Sequence, residues 1–105
     1  MNDTHEPSEV IEHLGVRLEL GPGLAFRAGK ALALTGTELR ILATLLKNPG
    51  KVFSRIDLMK SAIAGGAVVL ERTIDVHIAA LRRKLGSPDP IETVRLRGYR
   101  AAASV

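Results

Sequence analysis

The sequence predicts a single α+β domain, with a small antiparallel β-sheet first, three helices next and a β-hairpin last. Three observations support this fold class: alternating apolar segments separated by glycine turns, three stretches with apolar residues at helical spacing, and a final arginine-rich segment around a turn. With 105 residues, 46% of them hydrophobic, the chain is long enough for one core and too short for two ordinary domains.

The N-terminal third predicts a lead-in followed by strands. Residues 1–13 are polar and acidic without a clear period, so we expect a flexible lead-in or linker there and the domain at residues 14–105. Three strands are expected in the alternating segments VRLEL, LAFRA and ALAL, because the turn signals GPG and GK separate them.

Capping residues predict where the first two helices begin. Thr35 and Glu38 form a T-x-x-E capping box, and apolar residues at helical spacing follow as far as the sequence NPG. Ser54 and Asp57 mark the second helix in the same way, and a double glycine is expected to end it. The apolar residues that repeat at helical spacing along this helix are Ile56, Met59 and Ile63.

The third helix, expected at about residues 72–85, has two dissimilar faces. Four aliphatic residues at spacings of four, three and four predict a buried stripe, made of Ile74, Ile78, Leu81 and Leu85. The opposite face carries arginines and small residues, namely Arg72, Val76, Ala79, Ala80 and Arg83. The segment IETVRLRGYRAAA then predicts two strands around a turn, a wing at about residues 91–102. A helix–loop–helix followed by a basic hairpin is the plan of a winged helix-turn-helix.

Charge favours a polyanionic partner. The formal net charge is +4, but the first 20 residues hold five acids and one base, so the other 85 hold 14 bases and 6 acids. A small domain with this surplus is attracted to nucleic acids through counterion release. A merely soluble basic surface would have the same composition, so charge alone leaves both interpretations open.

The third helix and the hairpin together favour double-stranded DNA over a solvated surface helix. The major groove of B-DNA, about 12 Å wide, admits one α-helix. Ala79 and Ala80 are small enough to let the helix backbone approach the bases, and Arg72 and Arg83 supply hydrogen-bond donors. The arginines of TVRLRGYR suit the narrow and strongly negative minor groove.

Catalysis and metal binding are not expected. The chain has no cysteine, and His5, His13 and His77 stand at no metal-binding spacing. No glycine loop has the P-loop pattern. We therefore expect no enzyme activity, no catalytic residue, no cofactor and no metal. No apolar run approaches the roughly 20 residues of a membrane helix, so we expect no membrane partner.

Four segments give the sequence a resemblance to a known family. LTGTELRIL, NPGKVFSRIDL, RTIDVHIAALRRKL and TVRLRGYR resemble the DNA-binding domain of OmpR/PhoB-type response regulators, over about Val16 to Arg100. The resemblance implies a four-stranded N-terminal sheet, whose fourth strand we expect within residues 21–34. It also implies sequence-specific transcriptional regulation, either as the effector domain of a two-component phosphorelay or as a free-standing relative, since the chain carries no receiver domain.

The resemblance assigns DNA contacts to both parts of the winged helix. It places Thr73, Val76 and His77 where the family's recognition helix meets DNA, and Arg72 and Arg82 at phosphate-contacting positions. In the wing it places Arg95 in the minor groove and Thr93 and Tyr99 at the DNA backbone. The full set of candidate contacts is Arg72, Thr73, Val76, His77, Ala80, Arg82, Arg83, Thr93, Arg95, Arg97 and Tyr99.

Three departures from the family pattern modify these expectations. Ala80 stands where many members have a base-contacting arginine, so either Arg83 takes over or base specificity is weak and a second copy on a tandem half-site supplies selectivity. Leu96 replaces the usual first glycine of the wing, which predicts a less tight turn. The loop at residues 64–70, which contacts RNA polymerase in some members, is apolar and glycine-rich here.

Two alternative functions are known for domains with this plan. A winged helix can serve only for protein–protein contacts, and Ala80 is the feature that best supports this reading. Such modules usually lose their basic surface, whereas this chain keeps Arg72, Arg82, Arg83, Arg95 and Arg97. A membrane-anchored, ToxR-like regulator would require a spanning segment that the sequence does not contain.

Overall fold

The computed structural model describes residues 9–64, 66 and 68–104, and within them a four-stranded sheet, three helices and a two-stranded wing. The sheet strands are β1 (Val10–His13), β2 (Val16–Glu19), β3 (Leu24–Arg27) and β4 (Lys30–Leu32). They pair antiparallel in sequence order. The predicted α+β fold class is therefore confirmed.

The fourth strand of the sheet lies before the three predicted strands. The segments VRLEL and LAFRA contain β2 and β3, and ALAL overlaps β4 at Ala31 and Leu32. By contrast, β1 falls in the part assigned to a flexible lead-in. Two expectations were therefore wrong: residues 10–13 are a strand, and no additional strand lies within residues 21–34. Ile11 is buried opposite Leu18, so burial of this side chain and pairing with β2 stabilise the strand. The acidic residues around Ile11 made the segment resemble a polar linker in the sequence. Residues 1–8 of the predicted lead-in lie outside the described residues.

The helices are α1 (Gly36–Lys47), α2 (Arg55–Ala64) and α3 (Ile74–Leu85), with a 3₁₀ turn at Glu71–Thr73 before α3. The predicted capping box is present: the Glu38 amide donates to Thr35 Oγ1 (3.1 Å), and the Thr35 amide donates to Glu38 Oε1 (2.9 Å). Ser54 and Asp57 exchange an equivalent pair of hydrogen bonds at the start of α2. Both helices begin where their side chains satisfy otherwise unpaired amides.

The core-facing side of α2 differs from the stripe that the sequence suggested. Leu58 and Ala62 are fully buried, whereas Ile56 and Ile63 are 43% and 47% exposed. Leu58 and Ala62 also stand four residues apart, so two apolar stripes fit one helix and its periodicity does not decide between them. Packing against α1 and α3 turns the smaller stripe inward.

The buried stripe of α3 is confirmed. Ile74, Ile78, Leu81 and Leu85 are each at most 4% exposed and belong to one core with residues of α1 and the sheet. Burial of this stripe fixes which side of α3 faces outward. Among the described residues, no helix combines the length and the apolar content that crossing a membrane requires.

The wing consists of β5 (Ile91–Val94) and β6 (Gly98–Ala101), paired antiparallel. It is attached to the segment before α2, because Phe53 and Tyr99 exchange two backbone hydrogen bonds of 2.8 and 2.9 Å. Gly98 makes this close approach possible. A Cβ at Gly98 would overlap the carbonyl oxygen of Phe53 and lie 2.9 Å from the Cα of Ser54.

The tip of the wing is a closed turn. The Arg97 amide donates to the Val94 carbonyl oxygen at 2.9 Å, so the loss of the family's glycine does not open the turn as the sequence had suggested. Leu96 instead adopts a left-handed backbone with φ of 66° and has a 95% exposed side chain. Such a conformation costs a non-glycine residue about 1–2 kcal/mol.

Candidate nucleic-acid interface

The outer face of α3 and the 3₁₀ turn before it form an open surface. Val76 is 66% exposed, and Arg72, Ala79 and Arg83 are also exposed. The other predicted residues of this face, Thr73, His77 and Ala80, are partly buried. The structure therefore places every predicted residue of the α3 face, apart from Arg82, on one accessible side of the molecule.

Four arginines on this face and on the wing have accessible guanidinium groups. Arg72, Arg83, Arg95 and Arg97 are exposed and make no ion pair or side-chain hydrogen bond with the described part of the chain. By contrast, Arg17 of the sheet pairs with Glu12 and Glu19 at 2.6 and 2.9 Å. These four cations are thus available to an external anion.

Arg82 links α3 to the base of the wing. Its Nη2 donates to the carbonyl oxygen of Ile91 (3.0 Å) and to Thr93 Oγ1 (2.9 Å). Its Nε lies 2.8 Å from a carboxylate oxygen of Asp89 but without the alignment of a hydrogen bond. The guanidinium also lies 5.6 Å from the ring centre of Tyr99. Arg82, predicted as a phosphate contact, is therefore already hydrogen-bonded within the folded chain.

A carboxylate in the first turn of α3 joins three elements. Asp75 Oδ1 accepts from Arg55 Nε of α2 (2.8 Å) and from the hydroxyl of Tyr99 in β6 (2.5 Å). These hydrogen bonds, with the tyrosine first and the arginine second, lower the pKa of Asp75. Burial, followed by the same hydrogen bond, raises the pKa of Tyr99. Sequence reasoning missed Asp75 and Arg55, because an acid in a helix's first turn already has a local explanation in the helix dipole.

The two predicted DNA-backbone contacts of the wing have different surroundings. Thr93 is exposed, with its hydroxyl oxygen accepting from Arg82. Tyr99 is only 5% exposed, and its hydroxyl is directed at Asp75. Thr93 is therefore accessible in the structure, whereas the Tyr99 ring has the guanidinium groups of Arg55 and Arg82 at 5.5 and 5.6 Å from its centre.

The C-terminal end of α3 is held by an arginine of the sheet. Arg27 Nη1 donates to the carbonyl oxygens of Leu85 (3.0 Å) and Gly86 (3.1 Å), and its Nη2 donates to that of Pro88 (2.5 Å). A cation at this end also complements the negative pole of the helix dipole. No signal in the sequence pointed to Arg27, because its partners lie about 60 residues further along.

A buried ion pair holds the same helix against α1. Lys84 Nζ lies 2.7 Å from Glu38 Oε1, and the Glu38 side chain is only 5% exposed. Burial raises the pKa of Glu38, but hydrogen bonds from Lys84 and from the Thr35 amide outweigh it, so the pKa lies below its ordinary value. The capping acid of α1 thus also positions α3.

The histidines do not assemble a metal site in the part of the chain that is described, where no group of three or more potential ligands was found. The ring of His13 hydrogen-bonds through Nε2 to the Ala102 carbonyl oxygen at 2.7 Å. His77 is partly buried on α3. His5 lies outside the described residues.

The loop between α2 and the 3₁₀ turn is partly described. Val68 and Leu70 are 99% and 52% exposed, whereas Val69 is buried at 5% exposure. Residues 65 and 67 lie outside the described part. α2 and the loop after it therefore expose several apolar side chains, namely Ile56, Ile63, Val68 and Leu70.

Residues 29–101 match the family model described as "Transcriptional regulatory protein, C terminal". The chain belongs to this family. The match covers β4, all three helices and the wing, and therefore every candidate contact residue named above. The resemblance to the C-terminal domains of OmpR/PhoB-type regulators is confirmed.

Relatives within this family include sequences and solved structures. The chain is 54% identical over 61 residues to the transcriptional regulatory protein BaeR of Escherichia coli O6:H1, covering 58% of this chain and 25% of that protein. The DNA-binding domain of CpxR from E. coli superposes with a TM-score of 0.78 at 32% identity, covering 93% of this chain and 100% of that one. The DNA-binding domain of the response regulator AdeR, solved in complex with an intercistronic region, gives a TM-score of 0.77 at 31% identity, covering 87% and 97%.

The chain spans a quarter to about two fifths of the length of the curated relatives that it matches, 25% of BaeR and 42% of a CpxR homologue from Haemophilus influenzae. It corresponds to the C-terminal part that the family model describes. The winged helix-turn-helix fold is likewise that of the structural neighbours.

Proposed function

We propose that this chain binds double-stranded DNA in a sequence-dependent manner and regulates transcription, as the effector domain of a response regulator or as a free-standing relative. The observation that carries the proposal is the set of accessible arginines, Arg72 and Arg83 on α3 and Arg95 and Arg97 on the wing. They lie on the two elements that a winged helix presents to the grooves of DNA. The complex of the similar AdeR domain with an intercistronic region supports the same assignment.

In the proposed complex, α3 and its preceding turn lie in the major groove. Val76, Thr73 and His77 are assigned to base edges, and the small Ala80 allows close approach of the helix. Val76 is 66% exposed and can contact a thymine methyl group. Arg72 contacts phosphate. Arg83, three residues after Ala80, is exposed and takes the place of the missing arginine as a donor, since the nearer Arg82 is already hydrogen-bonded to the base of the wing.

The wing is assigned to the minor groove. Arg95 enters the groove, Arg97 supplies a second cation, and Thr93 donates to the DNA backbone. Arg82 and Tyr99 are assigned chiefly a positioning role in the free protein, because the guanidinium is bonded to Ile91 and Thr93 and the hydroxyl to Asp75. Arg82 remains close enough to the surface to add a phosphate contact, with a 31% exposed side chain.

Several finer assignments follow from this proposal. It contains no enzymatic step, and it places the chain at the nucleoid in a bacterial cytoplasm. The apolar loop around Val68 and Leu70 is the proposed contact for RNA polymerase. A second copy on a tandem half-site would multiply the discrimination of two weakly specific domains, since their binding free energies add.

Salt dependence of binding tests the proposal. Affinity for a mixed-sequence duplex is measured by fluorescence anisotropy between 50 and 200 mM salt, where each phosphate contact contributes about one unit to the log–log slope. Arg72→Ala and Arg83→Ala together should lower the slope by about one to two units. Arg17→Ala is the matched control, because its guanidinium is already paired on the sheet. A slope unchanged in the double variant contradicts the proposed interface.

A protein-contact module is the second candidate function. It is favoured by Ile56 and Ile63 on α2, two exposed apolar side chains that the proposed DNA contacts do not use. In that case random duplex DNA would not be shifted in an electrophoretic assay at low salt, and the substitutions at Arg72 and Arg83 would have no effect on the function of the chain.

A further inference from the structure

An apolar side chain occupies the very tip of the wing. Leu96 is 95% exposed and lies between the exposed residues Arg95 and Arg97. Its φ of 66° is a backbone conformation that glycine and asparagine adopt readily and leucine does not. The chain therefore holds a strained and fully exposed leucine at the point where a winged helix meets the minor groove.

We propose that Leu96 is a specificity-determining residue that packs against the minor-groove edge of one base pair and disfavours G·C at that position. The inference rests on the proposed DNA binding and adds a residue to it. The two flanking arginines, Arg95 and Arg97, attract the tip of the wing to the negatively charged DNA. Leu96 lies between them and therefore enters the groove together with the tip.

The chemistry of the minor groove gives the discrimination. An A·T pair presents only acceptors there, adenine N3 and thymine O2, whereas a G·C pair adds the 2-amino group of guanine, which is a donor. Leu96 has no acceptor in its side chain. Packing the leucine over guanine would remove water from the amino group without supplying a hydrogen-bond acceptor. A buried donor left without an acceptor weakens binding. Over A·T, no donor is covered.

This preference is separable from that of the arginines. Arginine favours A·T-rich sequences because a narrow groove concentrates negative potential, and that attraction weakens with salt. The leucine acts through short-range contact and desolvation, which salt screens little. Removing the side chain of Leu96 should therefore change base preference without changing the number of phosphate contacts.

The experiment varies one base pair and one side chain. A duplex selected by the wild-type protein is prepared with A·T, G·C or inosine·cytosine at each position under the wing. Inosine lacks the 2-amino group and otherwise keeps the pairing of guanine. Affinities are measured by anisotropy over a series of salt concentrations for the wild type, Leu96→Gly and Leu96→Asn, and base preferences are compared at one of them. Both replacements accept the left-handed φ, so the fold of the wing is preserved.

The wild type should bind G·C roughly tenfold more weakly than A·T or inosine·cytosine at one position. Leu96→Gly should reduce that ratio toward unity, with the salt slope unchanged. Leu96→Asn should remove the penalty as well, because its amide oxygen can accept from the guanine amino group.

Two results would overturn the inference. If the wild type binds all three duplexes equally at every position, Leu96 discriminates nothing, although the proposed DNA binding stands. If Leu96→Gly keeps the full penalty for G·C, the preference belongs to the arginines and to groove width. A wild-type protein that binds none of the duplexes would overturn both the inference and the proposed function.

Discussion

The hydroxyl of Tyr99 in the wing donates a hydrogen bond of 2.5 Å to the carboxylate of Asp75 in the first turn of α3. Arg55 of α2 donates to the same carboxylate oxygen at 2.8 Å, so three elements meet at one acid. The first turn of α3 is therefore linked to both α2 and the wing before any ligand binds. Such preorganisation lowers the entropy that binding would otherwise cost.

Asp75→Asn should weaken this junction. The amide keeps an acceptor oxygen but loses the charge that strengthens both hydrogen bonds, so we expect the free energy of unfolding in urea to fall by about 1–2 kcal/mol. Glu92→Gln is the control, because it makes the same change in a 2.7 Å pair with Arg100 that is about as exposed as the Asp75–Arg55 pair. Unlike Asp75, Glu92 has no bond to a buried tyrosine hydroxyl, and exposed pairs alone contribute about 0–1 kcal/mol. Equal losses of unfolding free energy in the two variants would show that Asp75 contributes no more to stability than an ordinary surface ion pair.

Gly98→Ala should be far more destabilising than a substitution at another glycine with positive φ. An added Cβ would overlap the Phe53 carbonyl oxygen, so the Phe53–Tyr99 bridge must break or shift, at a cost of about 3 kcal/mol or more. Gly15→Ala also places alanine at positive φ but meets nothing within 4 Å, so only about 1 kcal/mol is expected. Thermal unfolding of both variants checks this, and similar melting temperatures would contradict it.

Glu38 should make stability depend on pH in the acid range. Because its folded-state pKa lies below the ordinary 4.5, its contribution is complete above about pH 4.5 and is lost as the pH falls through the folded-state pKa. The difference in unfolding free energy between the wild type and Glu38→Gln should thus be constant from pH 7 to pH 5 and narrow at lower pH. A difference that widens on acidification would show that the carboxyl is held protonated in the folded chain.

Ala80→Arg should sharpen base preference. Position 80 lies on the outer face of α3 and is only partly buried, so a longer side chain has room to extend. A bidentate arginine–guanine pair is worth about 1–3 kcal/mol of discrimination. Selection from random duplexes at one salt concentration should yield an added guanine for the variant. A strong guanine preference at that position in the unmodified protein would mean that another side chain already contacts it.

Local signals predicted the parts of the fold that neighbouring residues determine. The capping box of Thr35 and Glu38 and the buried stripe of α3 depend on spacings of three and four, which a sequence displays directly. The inward face of α2 was mistaken, because Ile56 and Leu58 belong to two stripes that only packing distinguishes. The strand β1 was not predicted, because it is stabilised mainly by pairing with β2, which its own residues do not display.

The residues of the candidate site were likewise predicted where local spacing identifies them and missed where distant partners position them. The exposed arginines of α3 and the wing were found because a face of a helix and a hairpin can be identified from periodicity. Asp75 and Arg27 were not, because the atoms they bind are 24 and about 60 residues away in the chain. The side chains that position the interface are thus the least visible in the sequence.

The reach of Arg27 across to the end of α3 limits how this molecule can be dissected. A fragment that begins at α1 would keep the helices and the wing but leave the carbonyl oxygens of Leu85, Gly86 and Pro88 without their donor. Grafting α3 and the wing onto another scaffold would meet the same deficit. The smallest unit that could be transplanted therefore includes the antiparallel sheet, because Arg27 of β3 holds the C-terminal end of α3 in place.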